Sequence, residues 1–150
     1  MITSFLSKQV NKKMYTNIPV NELPGTHKKS FILSFMGADI WFEHLDGMYS
    51  YTDEVIQKFI KDLPNITKPS APSLVSVNLD ETLVDERLVD IIADTYIINT
   101  RFIHKLVFVG LNKHARKIMM RAFKKRNGQY QFAINYVNDF EKAKEWLVAG

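Results

Sequence analysis

The stretch "VSVNLDETLVDE", Val75 to Glu86, sets an amide, a carboxylate and a hydroxyl at alternate positions: Asn78, Asp80 and Thr82. A strand that ends in Asp-x-Asp-x-Thr can transfer phosphoryl groups. Its first carboxylate attacks phosphorus, and the second, two residues on, serves as general acid and base. Here the attacking position holds Asn78. An amide is a poor nucleophile, so the covalent step has no agent.

That spacing is the one used by haloacid-dehalogenase-type phosphatases. They also need a downstream Ser or Thr, a Lys, and an acidic pair that holds Mg²⁺. After Asp94 the only acids are Asp139, Glu141 and Glu145, at the start of a terminal helix. The expected reading is therefore a strand, a turn with capping carboxylates, and a helix, with no catalytic residue. Other chemistry is equally thin. His27, His44, His104 and His114 show no metal-ligand spacing. No nucleophile elbow, Walker loop or dinucleotide fingerprint occurs. The absence of cysteine removes thiolate metal sites, disulfides and a Cys nucleophile. No metal and no cofactor are expected. His44, at a strand end, reads as a partly buried structural histidine, and Met119 and Met120 as core and boundary.

The elements that must position this corner follow from periodicity. "FILSFM" (31–36) and "DIWFEHL" (39–45) read as a hairpin turning at Gly37-Ala38. Ile40, Phe42 and His44 alternate with Trp41, Glu43 and Leu45, which suits a sheet with helices on one face. "TDEVIQKFIKDL" reads as a helix capped by Thr52, with Val55, Phe59, Ile60 and Leu63 buried. "PNITKPSAPS" is a proline-rich loop, and "SLVSVNL" a short apolar strand. "DERLVDIIADTYIINTRFI" is a long helix with Leu88, Ile91, Ile92, Thr95 and Tyr96 inward. "KLVFVGL" is a strand of the kind buried on both faces. In "NKHARKIMMRAFKKRN", Asn112 caps a helix whose apolar stripe is Ala115, Ile118, Met119, Ala122 and Phe123, stopped by Gly128. A last strand, "YQFAINYV", precedes a last helix with Phe140, Ala143, Trp146 and Leu147 inward. The order β-β-α-β-α-β-α-β-α predicts one α/β domain over 29–150 with a mainly parallel, five-stranded sheet. Residues 1–28, with Pro19, Pro24 and Gly25, read as an irregular arm.

The totals agree with a single soluble domain: 150 residues, 46% hydrophobic and 24% charged. No apolar run approaches the ~20 residues that span a bilayer. The N-terminus lacks a secretory pattern, so a cytoplasmic location is expected. The formal charge of +4 is unevenly spread. Carboxylates prevail from Asp53 to Asp94, and none occurs between Asp94 and Asp139, where Arg101, Lys105, Lys113, Arg116, Lys117, Arg121, Lys124, Lys125 and Arg126 gather. Such an asymmetry can mark an acidic or nucleic-acid partner, but an acidic helix neutralising a basic neighbour is the favoured reading.

Three stretches together resemble the STAS domains of anti-sigma-factor antagonists and the related STAS/Sec14-like proteins. "IWFEHLDGMYSYTDEVIQKFIKDL" is similar to their second strand, Gly turn and first helix. "LVSVNLDETLVDERLVDII" is similar to their central strand, loop and second helix, and "FAINYVNDFEKAKEWL" to their last strand and helix. The resemblance covers residues 31–148. It implies a non-catalytic regulatory module that binds a protein partner. In the antagonists an Asp followed by a phosphorylatable Ser starts the second helix. Asp85 matches that Asp, but Glu86 and Arg87 follow it. A permanent carboxylate at Glu86 imitates about half the charge of a phosphoserine. Thr82 is the nearest hydroxyl.

In open α/β sheets, ligands and partners meet the loops at the carboxyl ends of the strands. The expected partner-binding residues are therefore Met48, Tyr49, Asp80, Glu81, Thr82, Asp85, Glu86, Arg87, Asn112 and Lys113, with Met48, Tyr49 and Tyr51 on the surface. The expected partner is a protein, and a homodimer is also open. Two alternatives stand beside it. One is a small-molecule or lipid carrier, with Met48, Tyr96 and Phe102 around a cavity. The other is a nucleic-acid binder using the basic helix 113–126, along which no aromatic residues interleave for stacking.

Overall fold

The computed structural model describes residues 28–67 and 71–150. Apart from Lys28, the expected arm lies outside the described residues. The element order is β1 (Phe31–Phe35), β2 (Ala38–His44), α1 (Thr52–Asp62), β3 (Ser73–Asn78), α2 (Glu86–Ile98), β4 (Ile103–Val109), α3 (Lys113–Lys125), β5 (Ala133–Val137) and α4 (Phe140–Val148). This is the predicted α/β order. The five strands lie in sequence order across one sheet. β1 is antiparallel to β2, and the remaining pairs are parallel.

The hairpin turns at Met36-Gly37, one residue before the predicted pair. Both have positive φ, 52° and 82°, as a two-residue turn matched to strand twist requires. Ala38 is thereby released to open β2 against Phe35.

Helices cover both faces of the sheet, not one. Trp41, Val75, Val77, Leu106 and Phe108 pack under α1, α2 and α3. Ile40, Phe42, Val107 and Val109 pack under Ala143 and Leu147 of α4. The reason is compositional: both alternating faces of the inner strands are apolar, so each needs a cover. α1 lies beside α2 and α2 beside α3, while α4 sits across β2, β3 and β4 on the other side.

Three helices begin as side-chain caps dictate. Asp85 accepts from the Leu88 N–H at 2.9 Å, Asn112 from Ala115 at 2.8 Å, and Asp139 from Lys142 at 2.8 Å. Thr52 is instead the first helical residue of α1, and Tyr51 precedes it without a side-chain cap. The α3 stripe is as predicted. Elsewhere the faces rotate. Ile60 is 47% exposed. In α2 the buried set is Leu88, Val89, Ile92, Ala93, Tyr96 and Ile97. As the middle helix of a row, α2 is covered by neighbours as well as by the sheet, which widens its buried face. It also ends at Ile98, and a short turn, Thr100–Phe102, leads into β4.

Candidate functional site

The corner after β3 is closed by hydrogen bonds. Asn78 Oδ1 accepts the Asp80 N–H at 3.0 Å, which fixes the turn. Beyond the end of β2, the chain runs alongside this corner as a continuation of the sheet. Leu45 N–H donates to Asn78 O, Gly47 to Asp80 O, Tyr49 to Glu81 O, and Leu83 back to Tyr49 O, at 2.7–3.0 Å. Tyr49 and Thr82 form a parallel bridge. The Thr82 hydroxyl joins the two segments, donating to Leu45 O at 2.6 Å and accepting from the Met48 N–H at 3.1 Å.

A third segment braces the corner from behind. Leu79 N–H donates to Val109 O and Gly110 N–H to Val137 O. Gly110 has φ +83°, and a Cβ there would lie 2.8 Å from Asp80 Cβ. Only glycine allows the β4–α3 loop to approach so closely. Tyr49 and Glu81 also hold positive φ, 50° and 53°. Such conformations cost of order 1–3 kcal/mol and persist where the surroundings over-determine them, often at recognition sites.

The structure therefore brings most of the expected site together but changes the roles within it. Asp80, Glu81, Glu86 and Arg87 are exposed on the frame. Among the described residues Asp80, Glu81 and Glu86 make no ion pair, whereas Arg87 pairs with Asp53. Asp85 and Asn112 serve as helix caps, and Lys113 is exposed beside Asn112. Tyr49 and Tyr51 are half-buried. Met48 is a correction. It is 1% exposed and belongs to the core, because the bridge with Thr82 continues strand alternation and turns it inward. The Thr82 hydroxyl is already bonded on both sides. Asn78 spends its side-chain oxygen on the turn.

Sequence reasoning overlooked a buried acidic cluster beside α1. Glu43 is 3% exposed. Its Oε1 accepts from Trp41 Nε1 at 2.9 Å. No N–H or O–H of the described residues donates to its Oε2, and Asp62 stands on this side of the carboxyl, so that a protonated Glu43 donates toward the Asp62 carboxylate. Burial first, and then Asp62, push Glu43 up to about 8 against the opposing Trp41 donor. At neutral pH it is a carboxylic acid beside a carboxylate. Burial tends to raise Asp62 too, but bonds from Glu43, Ser30 and Lys58 outweigh it and hold Asp62 below the usual range. Ser30 Oγ and Lys58 Nζ donate to Asp62 Oδ2 at 2.8 and 3.0 Å. Tyr96 lies in the same core, edge-on to Phe59 at 5.2 Å, and burial drives its phenol well above 10. The signal was present in the sequence: Glu43 alternates with Trp41 and Leu45 on an inward face.

At the end of β2, Asp46 pairs with His44 Nδ1 at 2.9 Å and with Lys28. Burial opposes ionisation of Asp46, but these two bonds prevail and hold it at about 2. His44 is the half-buried structural histidine predicted.

The cues for the alternative readings also change. Met48 and Tyr96 are core residues, each 1% exposed, and Phe102 lies half-buried under the Arg101 guanidinium. The acidic and basic helices are adjacent, and Arg126 reaches Asp94 at 2.7 Å and Asp90 at 3.3 Å. Neutralisation thus accounts for Arg126, while Lys113, Lys117, Arg121, Lys124 and Lys125 remain exposed. Among the described residues no group of His, Asp and Glu is placed to hold a metal ion, and no helix is long and apolar enough to cross a membrane. No family model matches the chain, and neither the curated proteins nor the solved structures hold a match.

Proposed function

We propose that this chain is a non-catalytic regulatory module of STAS type that binds a protein partner through the Asp80–Arg87 corner. One observation carries the reading. Of the three groups that suggested chemistry in the corner, Asn78 and Thr82 have structural tasks, while the carboxylate of Asp80, with those of Glu81 and Glu86, is left outside on a braced frame. A rigid, exposed acidic ledge suits recognition. Its ordering cost is met in folding, and its charge steers a basic partner toward it. Asp85 starts and caps α2, as the resemblance requires, and Glu86 supplies a fixed charge where the antagonists carry a switchable serine. The module would then be constitutive, regulated by the supply of its partner and not by a kinase acting at this position.

The test is site-specific photo-crosslinking in the native cell. A benzophenone side chain is placed at position 81 or 86, with exposed Gln57 on α1 as the control position. The reading predicts one discrete protein adduct from 81 and 86 and none from 57. The same ladder from all three positions, or none from any, would remove the corner from consideration. Asn78→Asp tests the catalytic alternative: no turnover of a generic phosphate ester is expected, because Asn78 shapes the turn and the remaining parts are missing.

A further inference from the structure

We infer that the groove between α3 and the outer edge of β5 receives an acidic, extended peptide segment of a partner protein, added to the sheet beside β5 as a sixth strand. This surface is distinct from the corner, and the inference does not depend on it.

The topology leaves the place open. α1, α2 and α3 form a row along one face of the sheet, but the chain then crosses, and α4 packs on the other face. Among the described residues, no further helix lies beside the flank of α3 over β5. Among the described residues β5 is the last strand, with β4 as its one neighbour. Its outer backbone groups face away from the sheet, and its sequence, AINYV, holds no charge or proline that would discourage pairing.

An open groove of about 590 Å³ lies there. Met120, Tyr130, Ile134 and Tyr136 form its apolar walls, and Arg121 and Lys124 stand at its rim. Met120 is 50% exposed, a large apolar side chain that the described residues leave uncovered. No carboxylate occurs in the sequence between Asp94 and Asp139, so α3 brings positive charge to the groove and β5 brings no negative charge. One turn back along α3, Arg116 has a buried Nε with no hydrogen-bond partner among the described residues, and its Nη2 reaches Asn138 only at 3.5 Å.

An extended peptide satisfies all three features. Its backbone pairs with the β5 edge, its alternate side chains enter the apolar groove, and its acidic groups meet Arg121 and Lys124. A nucleic acid fits less well, because the rings are already engaged inside the fold. Tyr136 stacks on Phe108 at 5.7 Å, and Tyr130 packs against Phe123 and Phe132 at 5.6 and 4.9 Å. Free stacking faces are what single strands require.

A displayed library of random dodecapeptides, selected on the full chain, tests this. Enrichment of peptides with acidic and apolar residues at alternating spacing is expected. Their binding should fall roughly tenfold in R121E/K124E, since two exposed ion pairs are lost. Amide resonances of residues 133–137 should shift on binding. The substituted residues are exposed, so an unchanged thermal midpoint verifies the fold. The same peptides should bind E81K/E86K normally, which separates this surface from the corner. No enrichment, equal binding to R121E/K124E, or shifts confined to other strands would overturn the proposal. So would poly-uridylate binding that requires Arg121 and Lys124 where no peptide binds, which would assign the groove to nucleic acid.

Discussion

Replacing Glu43 with glutamine keeps the shape of the side chain and an acceptor for Trp41 Nε1, but removes its proton equilibrium. In the unfolded chain Glu43 loses its proton near 4.5, and in the folded protein it keeps it to about 8. Between those values the folded state binds more protons, so stability falls as pH rises, by about 1.4 kcal/mol per pH unit. From 4.5 to pH 7 the loss is about 3 kcal/mol, and it stops growing once the folded group also ionises. Glu43→Gln abolishes this slope. The variant should match the wild type at pH 4.5 and exceed it by about 3 kcal/mol at pH 7. Asp62 sets the opposite limb. Its folded pKa is depressed, so its contribution is present above 3.8 and is lost as pH falls through the folded value. The amide introduced at position 43 still donates toward Asp62, so that acid limb should persist in both proteins. Urea unfolding at intervals from pH 3 to 9 gives the difference curve, in which other titrating groups cancel. A flat difference, or a wild type that gains on the variant as pH rises, would refute the carboxylic acid–carboxylate pair.

Gly110→Ala should destabilise the protein by about 2–4 kcal/mol, since it adds a backbone clash to an unfavourable φ. Gly37→Ala is its control: φ there is also positive, at +82°, but nothing lies within 4 Å of the new Cβ. It should therefore cost only about 1 kcal/mol. Denaturant midpoints of the two variants separate crowding from conformation. Thr82→Val leaves Leu45 O and the Met48 N–H without their partner and should cost about 2 kcal/mol, while Thr82→Ser should cost under about 1 kcal/mol. Equal losses would mean that the methyl group, not the hydroxyl, holds the two segments together. Glu86→Lys should leave the thermal midpoint nearly unchanged, because Glu86 is exposed and Asp85 supplies the cap. A large fall in a melting scan would make Glu86 structural.

Much of this architecture was legible because single residues carry strong local instructions. Asn112, the stripe from Ala115 to Phe123 and Gly128 define α3 without reference to the rest of the chain. Asp85 and Asp139 announce α2 and α4 in the same way. What local pattern cannot supply is the identity of neighbours. Met48 follows Asp46 and Gly47 and reads as loop surface; pairing with residues 81–83, more than thirty positions away, turns it inward. α2 reads as one-sided until α1 and α3 flank it. Asp62 and Glu43 meet only because α1 folds back over β2. The groove is the clearest case: its charges come from α3 and its tyrosines from Tyr130 and β5, so no continuous stretch of sequence interleaves them.

The central claim, that the corner is a recognition surface and not a reaction site, is tested most directly by quantitative affinity capture. Immobilised full-length wild type and E81K/E86K are compared in the native cell extract at low and moderate salt, with mass spectrometry of the bound fraction. The account predicts a discrete protein retained by the wild type at moderate salt and lost by the variant, whose thermal midpoint is unchanged. The same proteins captured equally by both, or nucleic acid alone that leaves as salt rises, would contradict it.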